Sequence, residues 1–126
     1  MNKLLEFTTY WVHIFFILSV ILIFFIPLSV WPDKLAFHFW YMLRIIGSEV
    51  LWGLVMFPKT KKFNLICPLT TIMQHARGFP LDNARNYKHS FIAELLESAG
   101  MKVSFGAVSL FLLVLLGIIT LRYVLG

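Results

Sequence analysis

Three long apolar stretches dominate the pattern of this chain, and one basic segment separates the second stretch from the third. The apolar stretches cover residues 7–30, 36–57 and 103–124. A helix that crosses a bilayer needs about 20 predominantly apolar residues, and each stretch reaches that length. The sequence therefore predicts an all-α integral membrane protein, a single membrane domain over residues 1–126 with three transmembrane helices.

The intervening segment, residues 58–102, contains two shorter patterns that predict cytoplasmic helices at the membrane interface. Pro68 can start the first of them, because proline is tolerated in the first turn of a helix. Asp82 or Asn83 can cap the second, which is predicted to run to about Ser98. Its apolar residues recur at helical spacing, so we expect this amphipathic helix to lie on the inner leaflet or against the bundle.

The placement of basic residues indicates the number of spans and their direction. With three spans and the amino terminus inside, the cytoplasmic side holds eight basic residues: Lys3, Lys59, Lys61, Lys62, Arg77, Arg85, Lys88 and Lys102. Only Lys34 and Arg122 then remain outside. Two spans, with the second stretch as a peripheral helix, would put Lys3 opposite the basic segment, which the positive-inside tendency disfavours. We expect a bacterial inner-membrane protein with a cytoplasmic amino terminus and a periplasmic carboxyl terminus.

Composition narrows the classes of function. Hydrophobic residues make up 60% of the chain and charged residues 13%, which argues against a single soluble core. The net charge of +5 is explained by contact with anionic lipid heads, so no nucleic-acid partner is expected. The sequence has no phosphate-binding glycine loop, no metal-ligand motif and no nucleophile–base pattern. We therefore predict no metal site and no catalytic residue, which weighs against an enzyme without excluding one.

Four ionisable residues fall inside the predicted spans: His13, His38, Arg44 and Glu49. Such groups are costly in lipid and by default indicate a functional site or a buried pair. At 1.5 Å per residue, His13 and Glu49 lie at matched depth on neighbouring antiparallel helices, whereas His38 lies about 20 Å away near the outer edge. A haem shared by the two histidines is therefore not expected. The pair of His13 and Glu49 either serves a proton relay, quinone or lipid-head site, or clamps the first two spans together.

Arg44 lies about 140° around the second helix from Glu49, so the two side chains point in different directions. Two alternatives follow for Arg44. It faces a partner subunit or lipid phosphate, or it snorkels or contacts a carbonyl of the third span.

The segment Cys67, Pro68, Leu69, Thr70 carries a resemblance to a known family. This signature follows two apolar spans that contain His13 and His38, and it precedes Tyr87 and Phe91. Over residues 10–96 the chain resembles a family of small bacterial inner-membrane proteins known only as a domain of unknown function. The resemblance implies an inner-membrane location and directs attention to these positions. The family usually continues after the threonine with proline and an acidic residue, where this chain has Thr71, Ile72 and Met73.

The leading functional prediction is a small non-catalytic accessory or assembly subunit of a larger inner-membrane complex, in contact with lipid and with other membrane subunits. The alternative is a redox or quinone-linked subunit that uses His13 with Glu49, or the lone Cys67. No resident cofactor is expected under the first prediction, and haem or quinone under the second. A small transporter would need several copies to line a pathway.

Overall fold

The computed structural model describes residues 2–80 and 90–126, and this part of the chain contains five helices and no strand. The helices are α1 (Lys3–Phe25), α2 (Lys34–Thr60), α3 (Pro68–Ala76), α4 (Phe91–Ser98) and α5 (Phe105–Leu125). By length and composition α1, α2 and α5 could each cross a membrane. The predicted all-α class is thus confirmed, with three helices long and apolar enough to cross a membrane, and the fold is consistent with a multi-pass membrane protein.

The ends of the first two long helices differ from the predicted limits. Asn2 caps α1, where its side chain accepts a hydrogen bond of 3.0 Å from the Leu5 N–H. The helix ends at Phe25, earlier than predicted, because the residue that precedes Pro27 is held in an extended conformation. The predicted second stretch ends at residue 57, before Pro58, whereas α2 continues past this proline. A proline this close to the end of α2 removes only one helical hydrogen bond, and the helix continues to Thr60.

The three long helices form a bundle in which α2 runs antiparallel to α1 and α5. Its core joins all three helices through Val20, Met42, Ile46 and Ile119. Ser19 on α1 and Tyr41 on α2 add a hydroxyl–hydroxyl hydrogen bond of 2.8 Å. Below, the end of the bundle where α1 begins and α2 ends is called the basic end, because Lys59, Lys61 and Lys62 lie there.

A buried lysine closes the opposite end of the bundle. Lys34, in the first turn of α2, is 4% exposed, and its Nζ donates to the carbonyls of Ile23 and Phe24 at 3.3 Å and to that of Ile26. The last carbonyls of a helix have no partner within the helix and carry its partial negative charge. Lys34 therefore satisfies the carboxyl end of α1 from its neighbouring helix.

At the basic end the chain reverses and runs back along α2. Lys61 adopts the left-handed conformation with φ of 61°, and the Ile66 N–H then donates to the Glu49 carbonyl at 3.4 Å. Gly53 permits this approach, because a Cβ there would lie 2.0 Å from the carbonyl oxygen of Asn64. The reversal brings the start of α3 about 16 Å back along α2, to the level of Glu49.

The two short helices pack against the bundle and are joined by an arginine. Arg77, just after α3, places Nε 2.9 Å from Glu6 of α1 and a terminal nitrogen 3.0 Å from Glu94 of α4. The prediction that the second short helix starts at Asp82 or Asn83 concerns residues outside the described part. Ser90 is extended and caps α4, since its Oγ accepts from the Ala93 N–H at 3.3 Å. A helix running unbroken through position 90 is therefore ruled out.

Candidate functional site

His13 lies at the centre of a buried group of side chains, ten residues along α1 from its start at the basic end. It is 6% exposed, and its Nε2 is 3.2 Å from Cys67 Sγ and 3.5 Å from Thr70 Oγ1. Cys67 is the residue before α3, and Thr70 lies in its first turn. The ring of Phe91 stacks on the imidazole, with centroids 4.3 Å apart and planes 15° apart. Four positions indicated by the family resemblance thus come together here.

The thiol of Cys67 stays protonated near neutral pH. Burial, and secondly the carboxylate of Glu49, raise the pKa of Cys67 to about 11. A protonated thiol has one hydrogen to donate, and His13 Nε2 is the acceptor within range. Since the thiolate is the nucleophile and the metal ligand, this environment argues against a thiolate haem ligand and against a cysteine nucleophile.

Glu49 faces the same site, and one of its carboxylate oxygens has no hydrogen-bond partner among the described residues. It is 8% exposed, and within the described chain its Oε2 has no partner. The described hydrogen bonds of the His13 Nε2 go to Cys67 and Thr70 and not to Glu49. His13 and Glu49, predicted as a pair at matched depth, both line one cavity and have no described hydrogen bond to each other. Below, the polar cluster means His13, Glu49, Cys67 and Thr70.

A cavity of about 330 Å³ extends from the polar cluster between α1, α2 and α5. Beyond the cluster its lining is mostly apolar, with Phe16, Val20, Met42, Leu112 and Leu115 among the residues that form it. Ile21 on α1 and Phe111 on α5 also line it and are 45% and 59% exposed, so the cavity opens sideways between these helices. A mainly apolar cavity with a few convergent polar groups is typical of small-molecule sites.

Arg44 lies on a different face of α2, which no other described helix covers. The exposed residues of this face follow one another three or four positions apart: Phe37, Trp40, Arg44, Gly47, Leu51 and Leu54. We call this strip the Arg44 face. Within the described chain Arg44 makes no ion pair, and nothing lies within 4 Å of where a Cβ on Gly47 would be. One of the predicted alternatives was a contact between Arg44 and a carbonyl of the third span. Among the described residues Arg44 makes no such contact.

The remaining predicted residues divide between the cavity and the opposite end. Pro68 and Leu69 line the cavity beside the polar cluster. His38 is 2% exposed at the opposite end, where its ring meets Phe24 edge to face at 4.6 Å. The two histidines therefore belong to separate environments, as their predicted depths required. Tyr87 lies outside the described residues.

Sequence reasoning did not single out three residues that the structure makes prominent. Arg77 joins α1 to α4, and Lys34 closes the end of α1. Gln74 is fully buried, and neither atom of its amide group has a partner within the described chain. A polar residue within a short apolar helix pattern was the available signal for Gln74. For Arg77 the partners are 71 and 17 positions away, so the local pattern gave no signal.

Comparison with protein-family models, with curated proteins and with solved structures finds no match to this chain. The resemblance through Cys67, Pro68, Leu69 and Thr70 accordingly stays a prediction. Among residues 2–80 and 90–126 there is no group of three or more histidine, cysteine, aspartate or glutamate side chains that could hold a metal ion. The case for function rests on the geometry of the polar cluster, the cavity and the Arg44 face.

Proposed function

We propose that this protein is a small non-catalytic accessory or assembly subunit of a larger bacterial inner-membrane complex. The observation that carries the proposal is the exposed Arg44 in the middle of a helix that could cross the membrane. An arginine at the centre of a bilayer costs about 2.5–3.5 kcal/mol or more when no partner compensates it. A protein that keeps such a residue exposed therefore calls for a neighbour that supplies the compensation.

The level of Arg44 in the bundle supports this proposal. It lies between Met42 and Ile46, both of which pack with Ile119 in the shared core. Ile119 lies six residues from the carboxyl end of α5 and 14 from its start, and the 21 residues of α5 give a length of about 31 Å, close to the hydrocarbon thickness. The nearer edge of the hydrocarbon is then about 9 Å from the level of Arg44 and the farther edge about 21 Å. Snorkelling even over the shorter of these distances would be incomplete.

The chemistry of the Arg44 face also indicates the kind of neighbour. Gly47 lies one turn along from Arg44, and small residues allow transmembrane helices to approach closely. The guanidinium favours a carboxylate, with which it forms paired hydrogen bonds. A second copy of this chain would bring another Arg44 to a symmetric contact, and its Glu49 is buried in its own cavity. The partner we propose is a transmembrane helix of another protein with an aspartate or glutamate at the level of Arg44.

The proposed orientation has support from the distribution of exposed lysines. Lys59, Lys61, Lys62 and Lys102 are exposed at the basic end, where α5 starts and α2 ends. At the opposite end Lys34 is buried on helix carbonyls. The positive-inside tendency then favours a cytoplasmic basic end, with the amino terminus inside and the carboxyl terminus in the periplasm.

The test is to purify the natively expressed protein in mild detergent and to identify what accompanies it in fixed proportion. We expect a stoichiometric membrane partner that Arg44→Leu releases by at least tenfold, while the amount of folded chain stays constant because Arg44 supports no described contact. Lys59→Leu, an exposed cation of the same helix, is the matched control and should retain the partner. A photoreactive residue at Leu51 should crosslink to that same partner, whereas one at Leu18 on α1 should not.

Recovery of the chain alone would overturn the proposal, as would a partner that Arg44→Leu retains. The alternative, a redox or quinone-linked subunit, has one specific observation in its favour, the cavity that ends at His13 and Glu49. Its cysteine version is weakened by the protonated thiol of Cys67. A visible absorption band, or a bound quinone that is reduced and reoxidised in the solubilised protein, would support that alternative.

A further inference from the structure

The cavity has an unmatched hydrogen-bond acceptor at its polar end. Glu49 is 8% exposed, lines the cavity, and has one carboxylate oxygen without a partner in the described chain. A buried polar atom left without a hydrogen bond costs free energy, and more so when it carries charge. Thr70 Oγ1 and Cys67 Sγ lie within hydrogen-bond distance of His13 Nε2, and neither has a described hydrogen bond to Glu49. A ligand that brings its own hydroxyl donor would satisfy this oxygen.

The charge of the lining restricts the head of such a ligand. Among the described residues that line the cavity, Glu49 is the only acidic one, and none of them is a lysine or an arginine. A phosphate head would meet a carboxylate without a compensating cation, in surroundings of low dielectric constant. The lining therefore disfavours phospholipids and favours a neutral head group.

The shape of the cavity and its opening restrict the ring and the tail of such a ligand. The rings of His13 and Phe91 form a stacked pair beside the polar end, and Phe16 and Phe105 also line the cavity. Flat aromatic surfaces pack well against a flat ring. The exposed pair of Ile21 and Phe111 marks an opening between α1 and α5 toward the surroundings of the bundle. An apolar tail could leave through that opening without crossing a polar surface.

We propose that this cavity binds a neutral ring-headed amphiphile of the hydroquinone class, with one ring hydroxyl donating to Glu49 and the tail passing between α1 and α5. The proposal concerns binding, and no electron transfer is assigned to the chain. It is independent of the Arg44 face, which lies on another side of α2. Failure of either proposal would leave the other standing.

The experiment titrates the full chain in detergent with decylubiquinol and counts bound molecules by native mass spectrometry. Decylubiquinone, which lacks the hydroxyl donors, and decanol, which lacks the ring, are the matched ligands. We expect one quinol per chain, bound at least about tenfold more tightly than either comparison ligand. Glu49→Leu should weaken quinol binding by about tenfold or more and leave quinone binding unchanged, whereas Met42→Leu, an apolar change in the same lining, should have little effect.

A second variant allows the proposal to be tested even if Glu49→Leu does not fold. Ser109→Phe places a ring in the cavity from α5 and should block the quinol while Glu49 remains intact. The proposal is overturned if the wild-type chain shows no saturable one-to-one binding, or if decanol or decylubiquinone binds as tightly as the quinol. Displacement of the quinol by phosphatidylglycerol would likewise overturn it and identify the cavity as a lipid site.

Discussion

Replacement of Gly53 by alanine tests whether the segment after α2 must lie against that helix. The added Cβ would be 2.0 Å from the backbone oxygen of Asn64, where ordinary contacts begin at 3.4 Å, so the segment must move by about 1.4 Å. The hydrogen bond from Ile66 to Glu49 is already 3.4 Å long and would be broken by that movement. Overpacking of this kind costs about 1–3 kcal/mol, and the lost hydrogen bond adds about 1 kcal/mol.

Alanine is intrinsically better than glycine in a helix by about 1 kcal/mol, which offsets part of this cost. We expect Gly53→Ala to lower the free energy of unfolding by about 2 kcal/mol, measured by denaturant titration in mixed micelles. Cys67 should also react faster with a maleimide, because its segment is displaced from His13. Gly47→Ala on the same helix is the matched control, since nothing lies within 4 Å of its new Cβ. If both variants were equally stable, the argument from close approach would be refuted.

Two further predictions concern the thiol and the arginine that joins the helices. With a pKa of about 11 rather than 9.0, Cys67 should react with iodoacetamide about a hundredfold more slowly at pH 7 than an ordinary thiol, and the rate should rise about tenfold per pH unit between pH 8 and 10. A rate that levels off by pH 9 would contradict this assignment. Arg77→Met should destabilise the fold by about 1 kcal/mol through loss of the pairs with Glu6 and Glu94, as measured by thermal unfolding. That difference should shrink in 1 M salt, and an effect independent of salt would show that packing rather than charge is responsible.

The sequence allowed the three long helices to be predicted because lipid solvation depends mainly on the number of consecutive apolar residues. Depth along those helices was equally predictable, since a constant rise per residue places His13 and Glu49 at one level. These inferences are local or depend on counting. They do not require knowledge of how distant parts of the chain meet.

The contact between His13 and Cys67 was beyond that kind of reasoning. It joins positions 54 apart and depends on the reversal at Lys61, a non-glycine residue in the left-handed conformation. Hydrophobic periodicity contains no signal for such a turn. In the sequence, only Gly53 hinted that another backbone segment approaches α2 closely, but a single glycine in a long apolar helix has many explanations. The resemblance pointed to Cys67 and Phe91 as positions of interest without showing that they meet.

The ammonium of Lys34 on the carbonyls of α1 has a consequence for the order in which the protein assembles during synthesis. The donor that satisfies the last carbonyls of α1 has been made once the chain reaches residue 34, because it belongs to the first turn of α2. The hairpin of α1 and α2 can therefore enter the bilayer as one unit with that end already satisfied. The surroundings of the polar cluster are completed later in synthesis, because the ring that stacks on His13 belongs to Phe91. A chain that ends after α2 would therefore contain the hairpin without the finished site.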